Sequence, residues 1–254
     1  VGSVVEALVA DQAEPADFAR LFEIFESPSL QMASFTITEK GYSIYDGKGN
    51  ILPVVEAGFQ AKPEEQGHLM GRVAALCYRR FQTCGAPLAL SSMDNCSHNG
   101  DKLKAGVMAF VDAWIKNGIV EPAFGDYMKD EAKVSFPWSM IDKITPRPDE
   151  NVKNMLEADG FEDTELIITN RNTYTSPFVN SEETGYLVIE DRFPNGRPPL
   201  EKAGILFTDR ETVDKVEKMK VCTCLNPLHT ALAIYGCLLS YTSIHEEMED
   251  AQLS

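Results

Sequence analysis

Four residues near the carboxyl end of the sequence have types and spacing that suit proton transfer at a carbonyl group. Lys220, Asn226 and His229 form the pattern Lys-x5-Asn-x2-His, and Glu217 precedes the lysine by three positions. A lysine partly buried among Val221, Cys222 and Leu225 has its charged form disfavoured, which would let it act as a base near neutral pH. Glu217 would pair with it and oppose that shift. The sequence around these residues predicts one helix ending near Lys220 and another starting at Asn226, with a tight corner bringing the two residues close. Asn226 and His229, three apart, would then share a helical face. A surface lysine, a capping asparagine and a packed histidine would give the same pattern, and on spacing alone that plainer reading has the better claim.

A second group, Asp94-Asn95 with Asn99-Gly100, stands where a strand hands over to a helix. In open parallel sheets ligands collect at the carboxyl ends of strands, and an amide there can donate to a substrate oxygen. Turns and helix caps favour the same residue types, so spacing leaves both readings open. Asp142 is set in the apolar, proline-bounded stretch Phe136–Pro146. A buried aspartate must be paired or hydrogen-bonded, so Asp142 is either an anchor or a site residue.

Other patterns carry less. Gly47-Lys48-Gly49-Asn50 begins like a dinucleotide loop, but Leu52 stands where the third glycine belongs, and Asp46-Gly47 between apolar residues is a hairpin signal. The sequence therefore holds no phosphate-binding glycine loop. Cysteines at 77, 84, 96, 222, 224 and 237 include no CxxC pair, and histidines at 68, 98, 229 and 245 include no HxxxH pair. No metal site is expected. The thiols read as free, in a reducing and hence cytoplasmic compartment.

The elements that must hold these residues alternate between strand and helix. Helices are predicted over 17–26, 63–83 and 101–116, and strands over 32–38, 87–93, 166–169, 186–190 and 204–207. Residues 41–55 read as strand, turn, strand. Thr208-Asp209-Arg210-Glu211 reads as a capping box opening the helix that ends near Lys220. This alternation argues for an α/β layer structure. The length of 254 residues, 44% of them hydrophobic and 23 of them Phe, Tyr or Trp, supports a full core and excludes disorder. A net charge of −16 would repel phosphate backbones, against a nucleic-acid partner. No apolar run approaches the roughly 18 residues of a membrane helix. The chain begins at Val1 and stops after an acidic helical stretch, and both ends read as cuts from a longer chain.

Taken together, the segments resemble the mannitol dehydrogenase family of long-chain polyol dehydrogenases and reductases. The resemblance rests on Lys220, Asn226 and His229, and on Asp94, Asn95, Asn99 and Gly100. It extends to the run from Phe136 to Pro146, to Thr36, Thr38, Glu39, Gly41 and Tyr42, and to Val188–Asp191 with Gly196-Arg197-Pro198. It implies a truncated Rossmann-type nucleotide-binding domain over 1–215, followed from 216 to 254 by the start of a mainly helical substrate domain.

It also implies zinc-independent, NAD-dependent (or NADP-dependent) interconversion of a secondary alcohol and a ketone at C2 of an open-chain sugar alcohol or aldonate. Lys220 would be the general acid/base, and Asn95 and Asn226 would donate to the alkoxide. His229 and Asp142 would place substrate hydroxyls or hold the lysine. Glu217 would govern proton exit through water, and Thr38 and Glu39 would lie at the cofactor. Asn95, Asp142, Lys220, Asn226 and His229 should form one cluster at the carboxyl ends of the strands. The family's glycine loop would lie before Val1 and most of the substrate domain after Ser254, so this piece is expected to be nearly inactive. The stretch between Pro148 and Thr184 tilts the reading toward mannonate/fructuronate rather than mannitol/fructose. The rival classes are a lyase with Lys220 as Schiff-base nucleophile and a non-catalytic sugar-binding module.

Overall fold

The computed structural model describes residues 4–11, 13–141, 143, 146–169, 174–181 and 185–251. Met32–Phe35 (β1), Leu88–Ser92 (β2) and Val134–Ser135 (β3) pair in parallel in the order β1-β2-β3. The middle strand is buried at every position, as a strand covered on both faces must be. Parallel neighbours need crossovers, and the sequence supplies helices for them. Pro15–Glu26 (α1) leads into β1. Between β1 and β2 come Thr38–Tyr42 (α2), Pro53–Gln60 (α3) and Leu69–Thr83 (α4). Between β2 and β3 come Asn99–Lys116 (α5) and Pro122–Lys129 (α6).

The core forms where α4 and α5 meet this sheet. Leu88, Leu90, Leu103, Val107, Phe110, Trp114 and Met70 are fully buried there. Trp114 satisfies its indole by donating to the Gly58 carbonyl at 2.9 Å. Arg80 is buried, and among the described residues no carboxylate pairs with it. Its guanidinium donates to the carbonyls of Phe25, Ser27, Leu30, Ala86 and Pro87 at 2.7–3.1 Å, stitching the end of α1 and both strand entrances together.

Residues 41–55 depart from the expected strand pair. Tyr42 ends a helical turn, because its ring is buried and its hydroxyl is held at 2.7 Å from Ser92 Oγ. The hairpin shrinks to one bridge, Tyr45 with Ile51. Asp46 closes it by accepting from the backbone N–H of Lys48 and Asn50 at 2.8 and 2.9 Å. After Leu52, Pro53 opens α3 at a first-turn position, where its missing N–H costs nothing.

A second sheet has the order β4-β7-β8, from Ser139–Ile141 (β4), Leu187–Glu190 (β7) and Leu206–Thr208 (β8), the last two parallel. The chain divides into two units, one of residues 1–140 with 188–254 and one of residues 141–187. Within the smaller unit Asp149 caps Glu150–Ala158 (α7) by accepting from Asn151 N at 2.8 Å. There Ile167–Ile168 (β5) pairs antiparallel with Tyr174–Thr175 (β6).

The carboxyl-terminal part of the larger unit is one unbroken helix of 29 residues, Arg210–Leu238. It comprises Arg210–Glu217 (α8), a π-helical stretch Lys218–Leu225, and Asn226–Leu238 (α9), and a short Ile244–Met248 (α10) follows. Its N-cap is Asp209, which accepts from Thr212 N at 2.9 Å, rather than Thr208. The expectation that no segment reaches membrane length is corrected here. By length and composition this helix could cross a bilayer, and Leu228, Ile234, Tyr235 and Leu238 on it are exposed.

Candidate active site

The carboxyl end of β2 is where the chemistry-bearing residues gather. Asp94, two residues past the strand, turns back onto α2: it accepts from the backbone N–H of Ile37 at 2.8 Å and of Thr38 at 3.0 Å. Tyr42 also donates to it. Burial, and then the bond to Asp94, push the Tyr42 phenol well above its ordinary range. Thr38 takes a left-handed backbone, φ 63°, at the start of α2. Glu39, next to it, forms an ion pair with Lys102 on α5. That bond is the main cause raising the lysine's pKa, and Cys96 and Glu217 lie close enough to raise it further.

The Asp94–Gly100 loop divides by residue between the two roles its spacing allowed. Asn99 is fully buried and works as a structural tie. Its amide donates to the carbonyls of Asp94 and Ser139, each at 3.0 Å, and to Ser139 Oγ at 2.9 Å. Its oxygen accepts from Ser139 N at 3.0 Å, so the ends of β2 and β4 are joined through one side chain. Gly100 permits this approach, since a Cβ there would stand 2.6 Å from the Phe136 carbonyl oxygen. Asn95, by contrast, is exposed and faces outward from the same loop.

Glu217 is buried at the end of α8, near enough to Cys96 and Lys102 to bias their titration. Burial is the first cause raising the Cys96 thiol. Lys220 follows, half-buried in the π-helical stretch. The expected corner between Lys220 and Asn226 is not formed. Asn226 has helical angles, φ −63° and ψ −46°, and its N–H bonds to Val221 O, five residues back. Pro227 lacks an N–H, and the helix widens around this gap instead of stopping. Asn226 and His229 are exposed on α9. Asp142 lies outside the described residues. Among the described residues no three His, Cys, Asp or Glu side chains gather as a metal site would need.

The structure therefore brings Glu39, Lys102, Cys96 and Glu217 together, with Thr38 and Asn95 on the same elements. Beside them runs a cleft of about 550 Å³ lined by Glu39 and Tyr42 from α2 and by Lys102, Ala105, Gly106 and Ala109 from α5. A group that sequence reasoning missed lies alongside: His98 on the loop, Trp138 before β4, and Asp214 and Arg210 on α8. His98 stacks on Trp138 with ring centroids 4.1 Å apart, and its Nε2 is 3.0 Å from Asp214 Oδ1. Arg210 lies over the same indole, 4.9 Å from the ring centroid, and pairs with buried Glu190 at 3.0 Å. The tryptophan inside Phe136–Pro146 was a signal for this group; the backbone angle of His98 left none.

A parallel sheet with its polar loops gathered at the carboxyl strand ends defines a nucleotide-binding type of α/β domain. The description "mannitol dehydrogenase Rossmann domain" matches residues 3–202, and the chain belongs to that family. D-mannonate oxidoreductase of Thermotoga maritima is 53% identical over 255 residues, which cover 100% of this chain and 47% of that protein. Mannitol 2-dehydrogenase of Pseudomonas fluorescens, solved as a ternary complex with NAD and D-mannitol, is similar at a TM-score of 0.72 and 31% identity, over 100% of this chain and 46% of that one. A substrate-free D-sorbitol dehydrogenase gives a TM-score of 0.74 at 27% identity, over 94% and 45%. The chain thus spans about half the length of the relatives it matches.

Proposed function

We propose that the protein carrying this chain interconverts a secondary alcohol and a ketone at C2 of an open-chain aldonate, mannonate and fructuronate being the favoured pair, with NAD as cofactor. The observation that carries the reading is the placing of Glu217. It is buried one helical turn before Lys220 and close to Cys96, the neighbour of Asn95. The helix that bears Glu217 and Lys220 is also held to the loop after β2 by the His98–Asp214 bond at 3.0 Å. The 53% identity to a D-mannonate oxidoreductase over the whole chain supports the aldonate over a neutral sugar alcohol.

In this reading Lys220 takes the proton from the C2 hydroxyl on oxidation and returns it on reduction, with no zinc in the proton step. Asn95 and Asn226 donate hydrogen bonds to the oxygen as it becomes negative, a role for preorganised donors. His229 and Asp142 hold neighbouring hydroxyls, and Glu217 passes the proton toward water. A bound nicotinamide dinucleotide supplies the hydride chemistry. The α2–α5 cleft, about 550 Å³ in volume, is lined by Ala105, Gly106 and Ala109 as well as by Glu39 and Tyr42, a mix of small and polar residues that fits the nicotinamide end, which Glu39 and the neighbouring Thr38 would hold. The spacing of the six cysteines, with no CxxC pair, is the ground for placing the protein in a reducing, cytoplasmic setting.

The test is NADH oxidation by the complete polypeptide with D-fructuronate and with D-fructose. Faster turnover of fructuronate, abolished by Lys220→Ala, is expected. Faster turnover of fructose would move the substrate to the sugar alcohols. Borohydride trapping of a keto-sugar on Lys220, without NADH consumption, would replace the reading with a Schiff-base lyase. Sugar binding with neither reaction would leave a binding module.

A further inference from the structure

His98 has φ 51°, the left-handed region that residues with a side chain rarely adopt. An outlier of this kind persists only where its surroundings over-determine it, and such outliers gather at functional sites. Here the surroundings are specific. The imidazole stacks on Trp138 and bonds to Asp214, two residues from different segments of the chain. Trp138 is itself fixed on three sides. Its indole N–H donates to Asp101 at 2.9 Å, its backbone N–H donates to Glu190 at 3.1 Å, and Arg210 covers the ring. Asp214 is shared with Lys218, which, ahead of His98, holds the carboxyl below its ordinary range. Asp214 lies six residues before Lys220, and His98 three after Asn95. The His98–Asp214 bond therefore joins the loop that bears Asn95 to the helix that bears Lys220.

We propose that His98 is a positioning residue. Clamped between Trp138 and Asp214, it fixes the register of the Arg210–Leu238 helix against the Asp94–Gly100 loop, and with it the placing of Lys220 relative to Asn95. The proposal rests on the catalytic reading above for its consequence in turnover, but the clamp itself does not.

The decisive substitution is His98→Gly, because glycine suits φ 51° and removes both contacts. If the residue only shaped the loop, glycine would be neutral or stabilising. As a clamp, its loss raises amide hydrogen exchange in peptides spanning 218–226 about ten-fold with no fall in Tm. In an Asp214→Ala background the same substitution adds less than about two-fold, because the partner is already gone. Unchanged exchange over 218–226, or fully additive effects, overturns the proposal. In the complete polypeptide kcat should also fall about ten-fold, with KM changed less than about two-fold, as misplacement of a reacting group requires. A kcat equal to that of the parent would refute the positioning role. If the unsubstituted polypeptide shows no NAD-dependent turnover, the catalytic reading fails, and the exchange measurement still decides the clamp.

Discussion

Replacing Asn99 by alanine tests the claim that one buried amide joins the ends of β2 and β4. The side chain satisfies Ser139 N–H and the carbonyls of Asp94 and Ser139, all at 3.0 Å. Alanine leaves these groups without their partner in a place where Asn99 itself has no exposed surface. A buried polar group stripped of its partner costs about 1–3 kcal/mol, and the hydroxyl of Ser139 can rotate to recover part of that. The expected loss is about 3–5 kcal/mol. In a domain of this size each kcal/mol moves Tm by about 2–4 °C, so Tm should fall by about 6–20 °C. Urea unfolding followed by circular dichroism measures the free energy directly. Asn95→Ala is the control, since that residue is exposed, and it should change stability by less than about 0.5 kcal/mol. A loss below about 1 kcal/mol for Asn99→Ala would falsify the account of Asn99 as a tie.

Three further outcomes follow from the same structure. Arg80→Lys keeps the charge but offers three donors where five carbonyls are served. It should cost about 2–4 kcal/mol in urea titration, and a neutral result would mean the carbonyls find water. Gly100→Ala puts a methyl group 2.6 Å from the Phe136 carbonyl oxygen and 2.8 Å from Trp138 Cδ1. It should destabilise by about 1–3 kcal/mol and shift the emission of Trp138, whereas an unmoved spectrum would contradict the close approach. The carboxyl of Asp214 is held low by Lys218 and then His98, so its contribution is present above the unfolded value near pH 4 and is lost as pH falls through the folded value. Asp214→Asn should therefore flatten the decline of the urea midpoint in acid, and parallel profiles for the two proteins would contradict the pairing.

The apolar signals in the sequence marked β2 and α5 well, because the core decides both. Leu88 and Leu90, two apart on β2, share one face and one core with Leu103, Val107, Phe110 and Trp114, which recur on one helical face. Residues 41–55 misled because tertiary demands won over local pattern. Burial of Tyr42 and its bond to Ser92 make a helical turn where alternation suggested a strand. Pro53 falls within the expected second strand, though a first-turn proline also starts a helix, as it does here. The Asn226-Pro227 pair has the form of a cap and first turn, and sequence could not show that the helix continues by shifting to bonds five residues back. In the site, Glu217 and Lys220 stand out by motif. The contact that ties their helix to the β2 loop depends on the left-handed angle of His98, which no side-chain periodicity encodes.

The π-helical stretch has a consequence for how this chain tolerates changes in length. In an ordinary α-helix, removing one residue rotates everything downstream by about 100°, turning an outward face inward. A stretch with bonds five residues apart already holds a surplus residue, bulged within Lys218–Leu225. A one-residue deletion between Val221 and Cys224 would be taken up by a return to four-residue spacing, with α8 and α9 keeping their mutual orientation. A one-residue deletion within α8, which has no such slack, would turn Glu217 away from Lys102. Natural length variation in this helix should accordingly concentrate between the lysine and the proline.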